Sequence, residues 1–123
     1  MNTEALFTEE NIALFSMGVL FVLLAYYYYA RPPKEINRLY GHRTPRSMKN
    51  QQTWDAANER SSKDFFSLAF VVLIVGIFLI PINFEGKVII QMVVLLVGLG
   101  WTVWRTETYL KNNFDKDGNP KNS

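Results

Sequence analysis

The chain has 123 residues and a formal net charge of +2, with 49% hydrophobic residues and no cysteine. This length allows one domain of modest size, and the missing cysteine excludes disulfides, thiolate metal sites and a cysteine nucleophile. The net charge is too small to favour nucleic acid as a partner.

Residues 11–30 are the first predicted element, because this run contains no charged side chain. About 20 helical residues cross a hydrocarbon core of about 30 Å, so we expect transmembrane helix 1 here. Residues 1–10 precede it as an extracytoplasmic N-terminus. A cleaved signal peptide is the alternative, but the N-terminus is acidic and the apolar run ends in Tyr26–Tyr29, which favours a retained anchor.

Residues 31–64 are predicted to be a cytoplasmic loop that contains an interfacial helix. Two consecutive prolines end the first helix. Thr44 followed by Pro45 fits an N-cap and a first helical position, so a helix is expected from near Pro45 to Lys63, lying along the membrane surface. We expect Trp54 to anchor this helix against the headgroup region or the transmembrane bundle, because its ring is the largest apolar surface in a polar stretch.

The remaining elements are two further spans and a tail. Residues 65–84 and 88–108 are largely apolar and are predicted as transmembrane helices 2 and 3, joined by an extracytoplasmic turn at 85–87. Residues 109–123 are expected to be a cytoplasmic tail that is frayed from residue 118 onward. The predicted fold class is an all-α integral membrane protein with three transmembrane helices and a cytoplasmic interfacial helix in the first loop.

Lysine and arginine are distributed unequally between the two sides of the predicted bundle. Residues 31–64 contain eight of them and residues 105–121 contain four, whereas the turn contains only Lys87 and residues 1–10 contain none. Basic residues near helix ends stay on the cytoplasmic side. The sequence therefore predicts that the N-terminus is outside and the C-terminus is inside.

The basic loop also suggests an anion-binding site. Arg43, Arg46 and the Ser47 hydroxyl lie near the expected helix N-terminus, where free N–H groups and the helix dipole favour negative charge. A lipid phosphate, a carboxylate or an acidic partner would fit such a site. The alternative is that these residues only set the topology beside anionic lipid.

Residues with catalytic chemistry are few, and we assign no catalytic role to any of them. His42 is the only histidine, and Asp55 and Glu59 lie at i and i+4 on one face of the expected helix. The sequence offers no second histidine for a metal site and no glycine-rich phosphate loop. No metal or cofactor is therefore expected.

The loop resembles the SdpI/YfhL family of small bacterial membrane proteins, and the end of the chain is similar as well. The resemblance covers residues 34–119, with His42 at a position where tyrosine is more usual. The residues that carry it are Asn37, Gly41, His42, Arg43-Thr44, Ser47, Trp54 and Asn58 in the loop, then Thr106-Glu107, Leu110, Phe114-Asp115 and Gly118.

The resemblance implies a function in the bacterial cytoplasmic membrane. The family's namesake gives immunity to a secreted toxic peptide and holds a transcriptional repressor at the membrane. Immunity or signalling is thus implied here, with a toxic peptide or a cytoplasmic regulator as partner. The candidate partner- or anion-binding residues are Asn37, Gly41, Arg43, Thr44, Arg46, Ser47, Trp54 and Asn58, together with Glu107 in the tail motif.

Three functional hypotheses remain open at this point. The first is a non-enzymatic immunity or signalling protein whose loop binds a partner or a lipid headgroup. The second is a small accessory subunit of a larger membrane complex, because three helices are few for an independent device. The third is an enzyme that acts on a lipid or a peptide at the membrane interface, using His42, Asp55 or Glu59. We favour the first.

Overall fold

The computed structural model describes residues 3–121, and these residues form no strand longer than an isolated bridge. The first two residues of the predicted N-terminal segment 1–10 and the last two of the predicted tail 109–123 lie outside the described residues. The helices are α1 Thr3–Leu6, α2 Glu9–Ala30, α3 Gln51–Leu79 and α4 Lys87–Asn113.

Three of these helices, α2, α3 and α4, are long and apolar enough to cross a membrane. Many of their large apolar side chains are exposed on the outside of the bundle, where lipid tails would surround them in a membrane. The predicted class, an all-α membrane protein with three transmembrane helices, is confirmed. The chain is a multi-pass membrane protein.

The helix α3 lies between the other two long helices and packs against both, whereas α2 and α4 touch each other much less. One close approach is at Gly98 on α4, where an added Cβ would overlap Cδ1 of Leu68. A second link is polar, because the buried amide of Gln91 donates a hydrogen bond from Nε2 to the Val72 carbonyl at 2.6 Å. Small residues and buried amides are typical of helix contacts in membranes.

The structure does not contain the separate interfacial helix that we expected from Pro45 to Lys63. Residues 45–48 form a single turn, closed by a 3.0 Å hydrogen bond from the Met48 N–H to the Thr44 carbonyl. The helix α3 begins at Gln51 and continues without a break through the apolar segment. The residues expected to lie along the surface are therefore the first half of a membrane-spanning helix.

Local hydrogen bonds explain why this helix begins at Gln51. Asn50 accepts a 2.9 Å bond from the Thr53 N–H, and the Thr53 hydroxyl accepts a 3.1 Å bond from the Asn50 N–H, which is a capping box. The Thr53 hydroxyl also donates to the Ser47 carbonyl at 3.0 Å. That carbonyl therefore has a side-chain partner, and the turn at 45–48 is not extended into the helix.

The opposite ends of the bundle differ in structure. At one end, which we call the loop end, residues 31–50 fold over the helix termini. The chain after α4 also returns there, since Asn50 Nδ2 donates to the Gly118 carbonyl at 2.9 Å and Gly118 is buried. Our expectation of a frayed end from residue 118 is therefore wrong as far as residue 121.

At the other end, a buried lysine joins the helices. Lys87 Nζ donates to Asn11 Oδ1 at 2.6 Å and to the Ile80 carbonyl at 3.2 Å. The Glu10 carboxylate accepts a 3.1 Å bond from the Val88 N–H at the start of α4. The two bonds from Lys87 Nζ offset the cost of burying its charged ammonium group.

Candidate functional site

Trp54 is the centre of the contact between the loop and the helices. Its side chain is fully buried in the first turn of α3, and its indole Nε1 donates a 2.8 Å hydrogen bond to the Pro33 carbonyl. Trp54 therefore holds the start of the loop against α3. We expected Trp54 to anchor a helix to the bundle or the headgroups, and the group that it contacts is the loop itself.

One helical turn later, Asn58 joins three parts of the chain. Its Oδ1 accepts a 2.6 Å bond from the Tyr28 hydroxyl on α2 and a 2.7 Å bond from the His42 N–H in the loop. Its Nδ2 donates to the Trp54 carbonyl at 2.9 Å. The amide is 1% exposed, so all three groups are removed from water together.

Gly41 is required by this arrangement. Its φ of +110° is a conformation that side chains with a Cβ rarely adopt. An added Cβ would also lie 2.7 Å from Asn58 Oδ1 and 2.8 Å from Pro33 Cγ. The glycine of the motif therefore allows the loop backbone to pass directly over the Asn58 amide.

The next motif residues, Thr44 and Ser47, close the turn at 45–48. The buried Ser47 hydroxyl donates to the His42 carbonyl at 2.7 Å and accepts a 2.9 Å bond from the Thr44 N–H. The Thr44 hydroxyl accepts a 3.2 Å bond from the Ser47 N–H, as an N-cap would. These bonds give the loop a defined shape where it meets α4.

A carboxylate from α4 lies beside this turn. Glu107 Oε1 accepts a hydrogen bond from the Thr44 hydroxyl at 2.5 Å and lies 2.7 Å from Nε2 of the buried His42. Its Oε2 is 3.6 Å from Nε of Arg46. The anionic group that the structure places next to Thr44 and Arg46 therefore belongs to the protein itself, and it joins the tail motif to the loop motif.

Two of the candidate residues lie on the outer side of the loop. Asn37 shapes the backbone, because its Oδ1 accepts bonds from the N–H groups of Leu39 at 2.9 Å and Tyr40 at 3.0 Å. Arg43 is exposed and donates to the Arg38 carbonyl. It forms no ion pair with any residue between 3 and 121. The structure therefore separates Arg43 from the Glu107 contact and leaves its charge available.

Tyr40, which was not among the candidates, closes the loop over α2. Its hydroxyl donates to the Arg31 carbonyl at 2.6 Å. Partial desolvation by the neighbouring side chains raises the pKa of Tyr40, and the nearby Tyr27 raises it further. The hydroxyl is therefore protonated at neutral pH and remains a donor.

An open cleft of about 550 Å³ adjoins this loop and is lined by side chains of α2, α3 and α4. Its walls come mainly from apolar side chains of the three long helices, and its polar end comes from the loop. The apolar residues include Phe21, Leu24, Phe65 and Val103. The residues at the polar end are His42, Arg43, Thr44 and Ser61.

The residues proposed for catalysis do not share one cleft. His42 lines the cleft just described, whereas Asp55 and Glu59 line a separate depression beside Pro33. Asp55 accepts a 2.7 Å bond from Gln51, and Glu59 pairs with Lys63 at 3.5 Å. Within residues 3–121, no three His, Asp or Glu side chains come together as metal ligands would.

Sequence reasoning missed the role of Tyr28. Four consecutive tyrosines, Tyr26–Tyr29, span all sides of a helix at 100° per residue, so one of them must face the bundle. The structure shows that the inward residue is Tyr28, which is buried and bonded to Asn58. The consecutive run was a usable signal, but it did not show which partner the hydroxyl meets.

Comparison with known proteins supports the assignment of this loop. The profile of the SdpI/YfhL protein family matches residues 34–105, which is more than half of the chain. The chain is also 35% identical, over 80 residues, to the uncharacterized protein YfhL of Bacillus subtilis (strain 168), which covers 65% of this chain and 69% of that protein. No solved structure matches. The chain belongs to the SdpI/YfhL family.

Proposed function

We propose that this protein is a non-enzymatic immunity or signalling protein of the bacterial cytoplasmic membrane. Its ligand would be an amphipathic molecule that reaches the loop end from within the membrane or from the cytoplasm, such as a membrane-inserted toxic peptide or a segment of a cytoplasmic regulator. The observation that carries the proposal is the open cleft of about 550 Å³, whose walls are mostly apolar and whose polar end is the motif loop. A cleft of this size and lining is typical of a binding site.

The charge of the loop favours an anionic group on the ligand. Residues 31–50 contain six basic residues and only Glu35 as an acid. Glu107 lies beside Arg46, whereas Arg43 lines the cleft without an ion-pair partner in the described chain. The apolar part of the ligand would lie against the apolar walls of the cleft, and its carboxylate or other acceptor would meet Arg43.

The bonding of the motif residues supports a non-enzymatic role. Three motif residues are buried, namely Asn58, Ser47 and Trp54. Their polar side-chain atoms form hydrogen bonds to other groups of the protein and are not directed toward a ligand in the cleft. They hold a binding surface in shape. The SdpI/YfhL family is also not a known enzyme family.

The proposal is tested by growth of the host without this gene. The deletion strain is exposed to spent medium from a dense culture of its parent, and growth and transcript changes are compared with those of the parent strain. We expect the deletion strain to lose either resistance or the transcript response, and the wild-type gene to restore it. A deletion strain that matches its parent in both readouts would contradict the proposal.

Two pairs of variants connect the function to the cleft. Val103→Trp places a large ring in the cleft, while Val97→Trp makes the same change on α4 at a side chain that does not line it. Likewise Arg43→Ala removes the charge at the polar end, and Lys34→Ala removes a charge elsewhere in the loop. We expect only the first member of each pair to fail in complementation, at unchanged protein level. Stable co-purification of other membrane subunits with all four variants would favour the accessory-subunit hypothesis.

A further inference from the structure

A second concavity, of about 260 Å³, lies between α3 and α4 at the loop end. It shares no lining residue with the cleft proposed above as the ligand site. Its lining is strongly charged, with three basic and two acidic side chains. These are Arg60, Lys63, Arg105, Glu59 and Asp64.

The charges in this pocket do not balance. Arg105 Nε donates to Asp64 Oδ2 at 3.0 Å, and Lys63 Nζ lies 3.5 Å from Glu59 Oε1. Both carboxylates therefore have a basic partner. Arg60 pairs with no carboxylate in residues 3–121, so the pocket carries one uncompensated positive charge.

Aromatic rings hold the two guanidinium groups. The Arg60 guanidinium carbon lies 4.8 Å from the centroid of the Tyr109 ring, and that of Arg105 lies 4.9 Å from the Trp101 ring. Such contacts favour a fixed orientation of the planar group. The N–H groups of arginine are then presented as a fork that fits phosphate oxygens.

These guanidinium groups have donors without acceptors. Arg60 Nε is buried and has no hydrogen-bond partner in the described part of the chain. Arg105 uses only its Nε, toward Asp64. A buried donor without an acceptor costs free energy, so Arg60 keeps unused hydrogen-bonding capacity beside the pocket.

The depth of the pocket identifies the source of the anion. Asp64 is the last charged residue before the apolar run 65–84, and Arg105 is the first one after the apolar run 88–104. The pocket therefore lies at the boundary between the apolar part of the bundle and its polar end. Trp101 and Tyr109 flank it, as aromatic residues do at the level of lipid headgroups.

We infer that this pocket binds the phosphate group of an anionic membrane lipid, with Arg60 as its main ligand and Arg105 as the second. The phosphate diester carries the negative charge that the pocket lacks. Free inorganic phosphate has the same chemistry, and the test separates the two sources. This pocket shares no residue with the proposed ligand cleft, so a lipid can bind here whether or not that cleft is a ligand site.

The experiment uses the full-length protein, reconstituted in nanodiscs that contain phosphatidylglycerol and phosphatidylcholine and then released for native mass spectrometry. The wild-type protein should retain one phosphatidylglycerol molecule in preference to phosphatidylcholine. Arg60→Gln should lower the retained fraction about tenfold, because two charge-assisted hydrogen bonds are lost. Lys111→Gln, an exposed basic position further along α4, should retain as much as the wild type.

Arg60→Lys keeps the positive charge but loses the paired N–H groups of the guanidinium, so it should retain an intermediate amount of phosphatidylglycerol. This variant replaces Arg60→Gln in the test if the glutamine variant does not fold. Equal retention of phosphatidylglycerol by the wild type and the Arg60 variants would overturn the inference. Thermal stabilisation by inorganic phosphate without any by phosphatidylglycerol would overturn the lipid assignment.

Discussion

At the scale of single residues, the side-chain amide of Asn58 joins more parts of the loop end than a helix contact alone would. Its oxygen accepts hydrogen bonds from the Tyr28 hydroxyl on α2 and from the His42 N–H in the loop. Its nitrogen donates a hydrogen bond to the Trp54 carbonyl within α3. A buried polar group that loses its partner costs about 1–3 kcal/mol. Loss of this amide therefore affects the loop and α2 together.

We predict that Asn58→Ala releases the loop from the helices. The Tyr28 hydroxyl and the His42 N–H would each lose a buried acceptor, so the loop should open more often. Limited trypsin digestion, followed by mass spectrometry, should show faster cleavage after Arg38 and Arg43. Tyr28→Phe removes only one donor and should have a smaller effect. Cleavage of Asn58→Ala at the wild-type rate would contradict this view.

Most residues of the site around Asn58 could be predicted from the sequence, but the contacts between them could not. Asn58, Gly41 and Trp54 were recognised because they belong to a pattern, and the structure brings all three together. Their roles depend on bonds to Tyr28, which is 30 residues from Asn58, and to Pro33, which is 21 residues from Trp54. Such pairings are set by how the helices pack, and local spacing in one chain does not encode them.

At the scale of elements, the start of α3 and the returning tail meet at one residue. Asn50 Oδ1 caps α3 through the Thr53 N–H, while its Nδ2 holds the Gly118 carbonyl. The oxygen of this amide thus bonds to α3, and its nitrogen bonds to the tail. A substitution to aspartate distinguishes the two bonds, because aspartate keeps the acceptor oxygen and lacks the amide donor.

We predict different results for two substitutions at Asn50. Asn50→Ala removes both bonds, and loss of an N-cap costs about 0.5–2 kcal/mol. Hydrogen exchange should therefore rise in residues 51–54 and also in residues 114–121. Asn50→Asp should raise exchange in the tail alone. If both variants change the same segments equally, the amide does not hold the tail in the way proposed here.

A second prediction at this scale concerns the contact between α3 and α4. Gly98→Val would force its side chain onto Leu68, whereas Gly100→Val enters open space. Overpacking costs about 1–3 kcal/mol, so only the first change should lower the unfolding temperature in detergent. Adding Leu68→Ala to Gly98→Val should recover part of the loss. Equal destabilisation by the two valines would show that helix propensity, and not packing, decides.

The membrane-spanning helices were predictable from the sequence, whereas the start of α3 in the polar loop was not. A bilayer demands long apolar runs, and α2 and α4 each contain one of the runs identified in the sequence. The helix α3 contains residues 65–79 of the run 65–84 and ends at Leu79, two residues before Pro81. The start of α3 was missed because Thr44-Pro45 fits a helix N-terminus, whereas the structure begins the helix at the capping box of Asn50 and Thr53. Bonds from Ser47 and Thr53 decide between them, and the sequence does not reveal these bonds.

At the scale of the whole molecule, the orientation in the membrane remains a prediction from the basic residues. The protein has no cysteine, so single cysteines can be introduced as reporters at exposed, uncharged positions. Asn83→Cys should react with an impermeant thiol reagent in intact cells, because the structure places Asn83 in the connection between α3 and α4, which the predicted orientation puts outside. Gln52→Cys and Asn112→Cys should react only after the cells are opened. The reverse pattern would mean that the loop end faces outward.

The unbroken course of α3 has a mechanical consequence. The helix has 29 residues and is therefore about 43 Å long, against about 30 Å for the hydrocarbon layer. The part of α3 that extends beyond the hydrocarbon layer carries Trp54 and Asn58, to which the loop is bonded. The loop end therefore moves together with α3 when that helix tilts. A bundle that tilts to match a thinner bilayer would swing this whole surface toward the membrane plane. The protein would thus convert membrane thickness into the angle at which the proposed binding face meets the bilayer.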